Sequence, residues 1–161
     1  WFQFGTFCPV MRIHGDRKPV HDVSAVDNSR RLGSGGPNEV WSFGVDVEQS
    51  LAALVHLREA LRPYTRALMR QAHEAGTPVM RAMFYEFPQD SACWDLGDQY
   101  MFGPDILVAP VMQAGARRRS ASGPRHDGGS RLEAEAPLAV IPVFLRDGRQ
   151  SDPFKVGEVA H

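Results

Sequence analysis

With 161 residues, the chain is long enough for one domain with its own core or for parts of two. Hydrophobic residues make up 43% of it and the net charge is -1, a balance that excludes a disordered polyelectrolyte. No basic block is long enough to bind nucleic acid, and no apolar run approaches the ~20 residues of a transmembrane helix, so we expect neither nucleic acid nor membrane as a partner.

The first residue and the cysteines indicate what kind of protein the chain comes from and in which compartment it works. Trp1 opens the sequence inside an apolar stretch, which indicates a piece of a longer protein whose true amino terminus is not visible. Cys8 and Cys93 have no metal-ligand spacing. Free thiols in a reducing compartment are favoured over a disulfide between them, so we predict a cytoplasmic protein.

The first predicted elements are short. Residues 1–7 read as the end of a helix, and residues 9–15 as a buried strand that ends in polar residues and Gly15. Residues 16–38 are rich in turn-forming residues and predict a long loop.

A helix follows over residues 47–75. Asp46 is expected to cap it, with Gln49 completing a capping box, and apolar residues then recur at helical spacing and predict a core-facing stripe. Pro63 either kinks this helix or starts a second one, and Gly76 ends it.

After Pro78 the pattern changes to short apolar runs separated by turns, which is typical of antiparallel strands. The runs cover residues 79–87, 100–102, 106–111 and 138–145. In the first run, the large apolar residues are predicted to lie in the core: Met80, Met83, Phe84 and Phe87. Residues 117–131 contain arginine, serine, glycine and proline but no aromatic residue, and they predict a solvated loop or a deletion within the β-domain.

Several motifs occur in the order found in family 31 glycoside hydrolases, and the chain resembles that family. The motifs are FQFGTFCPVMRIHG (residues 2–15), GTPVMR (76–81), EFPQD (86–90) and DQYMFGPDILVAPV (98–111). The segment GPNEVWSFG (36–44) resembles the α-xylosidase branch of the family. The likeness covers residues 1–111 and returns at 136–148.

The resemblance implies an α/β plus all-β fold: the C-terminal end of a (β/α)8 barrel, followed by part of an antiparallel β-sandwich domain. Residues 1–76 would hold the last strand and helix of the catalytic barrel. Residues 77–161 would form a partial proximal C-terminal β-sandwich domain.

The implied chemistry is retaining glycoside hydrolysis, which needs two carboxylates about 5–5.5 Å apart. In the family both are aspartates on earlier barrel strands, so we expect no catalytic residue in this chain and predict that the isolated chain is inactive. The loop acids near His14 are Asp16, Asp22 and Glu39. Nothing in the sequence fixes two of them at that separation. The implied reaction uses no cofactor, and the histidines show no metal-ligand spacing.

Substrate positioning is the role that the resemblance assigns to this chain. His14 matches the histidine of the family's Arg-x-His motif, which hydrogen-bonds sugar hydroxyls at the cleaved position. Arg12 supports the strand end, pairs with an upstream carboxylate or contacts the sugar. Trp41 either stacks on a sugar or covers the barrel mouth.

The sequence therefore predicts a fragment of an enzyme that hydrolyses α-linked glucosides or xylosides. Its expected partners are an α-glycoside or oligosaccharide substrate and, in a homo-oligomer of the parent enzyme, a second copy. The alternative is a stand-alone, non-catalytic carbohydrate-binding or structural β-module. Glucoside and xyloside specificity are not separated by these residues.

Overall fold

The structure is a computed structural model that describes residues 1–13, 37–123, 131–137 and 140–146. Its helices are α1 (Phe2–Thr6), α2 (Val45–Ala60), α3 (Arg62–Ala75) and α4 (Met83–Glu86), with short 3-10 helices at Val40–Phe43 and Ser91–Trp94. Its strands are β1 (Met80–Arg81), β2 (Tyr100–Phe102), β3 (Ile106–Val108), β4 (Arg118–Ser122), β5 (Arg131–Glu135) and β6 (Val143–Leu145). None of the helices in these ranges is long and apolar enough to cross a bilayer.

Glycine and proline set the ends of the two long helices. Gly44, with φ of 96°, precedes α2, and Gly76, with φ of 67°, ends α3 in the left-handed conformation. Pro63 lies in the first turn of α3, where its missing N–H costs no hydrogen bond, so it starts a second helix rather than kinking the first. The predicted cap at Asp46 is wrong. Its side chain makes no capping bond, although its charge still lies in the favourable first turn of α2.

The strands form two antiparallel sheets. Four strands pair in the order β1-β2-β3-β6, while β4 and β5 form a separate two-stranded sheet. Phe102 lies opposite Ile106 in the β2–β3 pair, and Ile106 lies opposite Leu145 in the β3–β6 pair. The described part of the chain thus combines antiparallel sheets with several helices.

Both faces of the four-stranded sheet are covered. Because side chains alternate along a strand, Ile106 and Val108 face one side and Leu107 faces the other. The first side packs against the long helices in a cluster of Phe7, Leu61, Leu68, Val79, Phe102, Ile106, Val108 and Ile141. The second side packs in a cluster of Met83, Cys93, Met101, Leu107, Ala109 and Ala121, the last of which lies on β4.

The first of these clusters joins the two predicted domains. Phe7, Leu61 and Leu68 precede residue 76, and Phe102 and Ile106 follow it. The boundary at residue 76 stays a prediction. If it divides two domains, they meet across a shared apolar core rather than a polar interface.

Three expectations about strands and loops are also wrong. The strand predicted over residues 9–15 is not formed in its described part, residues 9–13, where no other strand pairs with the chain and Val10 is 79% exposed. The run of residues 79–87 is interrupted by α4, and the predicted loop of residues 117–131 contains β4. In β4, hydrogen-bonded pairing with β5 compensates for the missing β-branched and aromatic residues.

Tyr64 and Gly103 bring α3 against the sheet. The Tyr64 hydroxyl donates to the Phe102 carbonyl at 3.1 Å and lies 3.3 Å from an Asp105 carboxylate oxygen. Burial, and then the Asp105 charge, raise the pKa of Tyr64 above its ordinary value, so the hydroxyl stays protonated as a donor. Gly103 has φ of 65°, and a Cβ added there would lie 2.3 Å from the Tyr64 hydroxyl oxygen.

We predict that Gly103→Ala destabilises the chain strongly. Backbone strain at positive φ contributes ~1 kcal/mol and the clash with Tyr64 and Leu68 adds ~1–3 kcal/mol, which urea unfolding measures. Gly115→Ala is the matched control, because its φ is 79° but its Cβ would meet nothing within 4 Å. We expect only the strain, ~1 kcal/mol, at that position. Equal losses in the two variants would show that α3 is not held tightly against Gly103.

Candidate functional site

The segment that leads toward the predicted substrate-binding residues is held by one arginine. Arg58, on α2, donates from Nη1 to the carbonyl oxygens of Gly5 at 3.1 Å, Thr6 at 3.0 Å and Cys8 at 2.6 Å. Its Nη2 donates to the carbonyl of Pro9 at 3.1 Å. A single guanidinium therefore satisfies four carbonyls where α1 ends, and we call this arrangement the Arg58 clamp.

The clamp explains how an irregular segment keeps a defined path. Residues 7–13 continue from α1 without helix or strand pairing, so their carbonyls lack ladder partners. The planar guanidinium presents donors in a fixed fork, which a lysine ammonium does not reproduce. Tyr100, on β2, adds a second tie by donating from its hydroxyl to the Phe7 carbonyl at 3.3 Å.

The clamp also sets the local electrostatics. Cys8 is half-buried, and its thiol donates to the Phe4 carbonyl at 3.3 Å. Burial raises the pKa of the Cys8 thiol, and the nearby charge of Arg58 lowers it by a smaller amount. The net effect keeps Cys8 protonated near neutral pH, which is typical of a packing residue and not of a nucleophile. Cys8 and Cys93 are both free thiols, as predicted.

The structure describes only part of the predicted site and shows no contact between its members. Arg12 is exposed, three residues beyond the last clamped carbonyl, and it forms no ion pair with another described residue. His14 lies outside the described residues, as do Asp16 and Asp22. Glu39 is exposed and precedes the 3-10 helix Val40–Phe43. The roles assigned to His14 and Arg12 stay predictions.

Trp41 and Phe84 are both exposed aromatic residues, but the sequence pattern predicted that Phe84 would be buried. Trp41 lies in the 3-10 helix Val40–Phe43 and is 66% exposed, so its ring is open to a ligand or a neighbouring segment. Phe84 is also exposed, although its place in an apolar run predicted a core residue. Its neighbour Met83 is the fully buried one, because α4 turns successive side chains in different directions.

Phe84 lines a cavity with a volume of about 490 Å³ beside β2. Trp94, Tyr100 and Phe4 contribute aromatic walls, and Asp95 and Asp98 contribute carboxylates. In the described ranges, no three histidine, cysteine or acidic side chains cluster closely enough to hold a metal ion.

Sequence reasoning missed the role of Arg58. Its position coincides with the apolar stripe of α2, where a long side chain can pack its stem and extend its charged end to neighbouring carbonyls. The sequence does contain a signal for such a clamp. It is an arginine within an apolar helical stripe that comes after an irregular segment.

Comparison with known proteins identifies the C-terminal half. Residues 76–149 match the family model described as "Glycosyl hydrolase family 31 C-terminal domain". This part of the chain belongs to glycoside hydrolase family 31. The predicted family resemblance is therefore confirmed.

Two glycosidases match most of the chain, including residues that precede residue 76. It is 30% identical to alpha-glucosidase 2 of Bacillus thermoamyloliquefaciens over 92% of this chain and 18% of that protein. It is 28% identical to an alpha-xylosidase of Saccharolobus solfataricus, over 92% of this chain and 19% of that protein. The chain thus spans about a fifth of the length of these relatives.

Solved family 31 structures share the fold. A GH31 alpha-xylosidase from a soil metagenome, complexed with xylose, is 40% identical with a TM-score of 0.80, over 99% of this chain and 25% of that chain. The Flavobacterium johnsoniae GH31 dextranase complexed with glucose is 28% identical with a TM-score of 0.72, over 92% of this chain and 18% of that chain. The arrangement of helices and antiparallel sheets is therefore the one found in family 31 enzymes.

We predict that the Arg58 clamp contributes measurably to stability. Arg58→Ala leaves four carbonyls without their charged donor and should lower the free energy of unfolding by ~2 kcal/mol. Arg58→Lys should recover less than half of that loss, because an ammonium cannot reach all four oxygens in the geometry of the fork.

Urea unfolding and amide hydrogen exchange at residues 5–10 measure the two effects of the clamp. The control is Arg66→Ala on α3, an exposed arginine whose loss should stay within about 0.5 kcal/mol. If Arg58→Ala and Arg66→Ala gave the same stability and the same exchange, the clamp would contribute nothing to the path of this segment.

Proposed function

We propose that the chain forms the substrate-positioning end of a retaining glycoside hydrolase that acts on α-linked glucosides or xylosides. The observation that carries the proposal is the 40% identity, over 99% of this chain, to a family 31 alpha-xylosidase complexed with xylose. The similarity to an alpha-glucosidase supports the same class of substrate without choosing between glucose and xylose.

In this proposal, residues 1–76 are the end of a (β/α)8 barrel and residues 77–161 belong to the β-domain that follows it. The packing of α2 and α3 on the four-stranded sheet supports the arrangement, since it attaches helices that precede residue 76 to strands that follow it. Barrel enzymes carry their active sites on loops at the carboxyl ends of strands, and the segment after the Arg58 clamp would be such a loop.

The chemistry that the proposal requires comes from two sources. The nucleophile and the acid/base are carboxylates about 5–5.5 Å apart and are supplied by barrel residues outside this chain. His14 hydrogen-bonds a hydroxyl of the sugar whose bond is cleaved, and that bond strengthens as the oxocarbenium-like transition state forms. Arg12 supports the loop beside it. The reaction uses no cofactor.

We predict that the purified chain alone does not hydrolyse aryl α-glucosides or aryl α-xylosides. Positioning residues have no group that protonates or attacks the glycosidic bond, so the rate should equal that of the buffer blank. Turnover that persists after repeated purification and in His14→Ala would contradict the proposal that the catalytic carboxylates lie outside this chain.

The proposal as a whole is tested in a chimera in which residues 1–112 replace the matching segment of the soil-metagenome alpha-xylosidase. We expect the chimera to hydrolyse an aryl α-xyloside. His14→Ala should lower kcat and kcat/KM by roughly ten- to a hundredfold, because a hydrogen bond of ~1–3 kcal/mol to the transition state is lost.

The matched control in the chimera is His73→Ala, an exposed histidine of α3 that should leave the kinetics unchanged. Near-normal kinetics for His14→Ala, together with a large fall in the melting temperature, would assign His14 a structural role. A folded chimera without any activity would favour the alternative of a non-catalytic module.

A further inference from the structure

Two exposed aromatic rings form a platform beside β2. The rings of Phe84 on α4 and Trp94 in the 3-10 helix Ser91–Trp94 stack with centroids 5.0 Å apart and planes 16° apart. Phe84 is 41% exposed and Trp94 is 59% exposed, so the stack is open to solvent. Stacking on Phe84 covers one face of the Trp94 ring, and the exposed remainder of that ring is the apolar surface open to a ligand.

The tryptophan ring is held in place before any ligand arrives. Its indole Nε1 donates to the Pro88 carbonyl at 3.3 Å, which fixes the orientation of the ring. The Asp90 carboxylate accepts from the Ala92 backbone N–H at 3.0 Å at the start of the 3-10 helix. Cys93, next to Trp94, is buried in the core and attaches the 3-10 helix Ser91–Trp94 to the sheet. A rigid aromatic side chain loses little conformational entropy when it binds a ligand.

Acidic side chains lie beside the platform in the same cavity of about 490 Å³. Asp98 is already paired with Arg119 at 2.8 Å. Asp95 is exposed and accepts no hydrogen bond from the part of the chain that the structure describes. A carboxylate only accepts hydrogen bonds, so a ligand that fits this cavity offers hydroxyl donors next to an apolar face.

We infer that this cavity binds a neutral pyranose ring, with the C–H face of the sugar on Trp94 and its hydroxyls donating to Asp95. Charge and desolvation select this ligand. An anionic sugar would be repelled by Asp95, and a wholly apolar partner would bury that carboxylate without a donor. Binding is independent of whether the chain takes part in hydrolysis, so the proposed function and this inference can fail separately.

The experiment titrates the chain with methyl α-xyloside and methyl α-glucoside and follows binding by saturation-transfer NMR and by amide shifts. We expect weak binding, with Kd on the order of 1 mM, and shifts that centre on residues 84 and 94–98. Trp94→Ala should weaken binding at least tenfold, whereas the control Met69→Ala, at an exposed apolar residue of α3 that does not line this cavity, should leave Kd unchanged. Circular dichroism verifies that each variant is folded.

A charged sugar tests the role of Asp95. Methyl α-glucuronide should bind at least fivefold more weakly than methyl α-glucoside at pH 7, and Asp95→Asn should remove that difference. Three results would overturn the inference: no binding at 50 mM sugar, binding that is equal in Trp94→Ala and the wild type, or a chain that self-associates through the cavity and becomes monomeric in Trp94→Ala. The last result would identify a second copy of the chain as the occupant.

Discussion

Close contact between α3 and the loop joining β2 to β3 is the constraint on which the rest of the structure depends. Gly103 allows it, because any side chain there would meet Tyr64 and Leu68. The contact places Tyr64 within hydrogen-bond distance of the Phe102 carbonyl and closes the apolar cluster between helices and sheet. Because α2 immediately precedes α3 in the chain, fixing α3 also restricts the position of α2, which carries Arg58. The sheet therefore determines indirectly where the Arg58 clamp lies.

Features encoded by local residues were predictable from the sequence. Pro63 and Gly76 act within one turn of the backbone, and both set helix ends as expected. The wrong expectations concern segments whose state depends on distant partners. Residues 9–13 have the composition of a strand but pair with no strand among the residues that the structure describes. The strand β4 has a poor strand composition but pairs with β5 along five positions. Strand formation depends on pairing and burial, which the residues of one segment do not reveal.

In the site, too, features encoded by contiguous residues were predictable, and features that depend on distant partners were not. The Arg-x-His motif identified His14 and Arg12 because it is contiguous in sequence. The Arg58 clamp was missed because its acceptors lie 49 to 53 residues away and are backbone carbonyls, which carry no sequence signature. The stack of Phe84 on Trp94 was also missed, because the apolar run that contains Phe84 predicted that this residue lies in the core. Only the turn of α4 shows that Met83 is buried and Phe84 is exposed.

The segment that carries Arg12 is attached to both halves of the chain, and this has a consequence for how the β-domain contributes to a site. Arg58 holds the segment from the helical side, while Tyr100 reaches it from β2 and Phe7 packs edge-on against Phe102. A shift of β2 would therefore move Phe7 and the carbonyls that follow it, even though no strand residue needs to touch a substrate. Packed cores transmit such displacements because they contain few voids that could absorb them. The antiparallel sheet thus supports the loop that leads to Arg12, through the packing of Phe102 against Phe7 and the hydrogen bond from Tyr100.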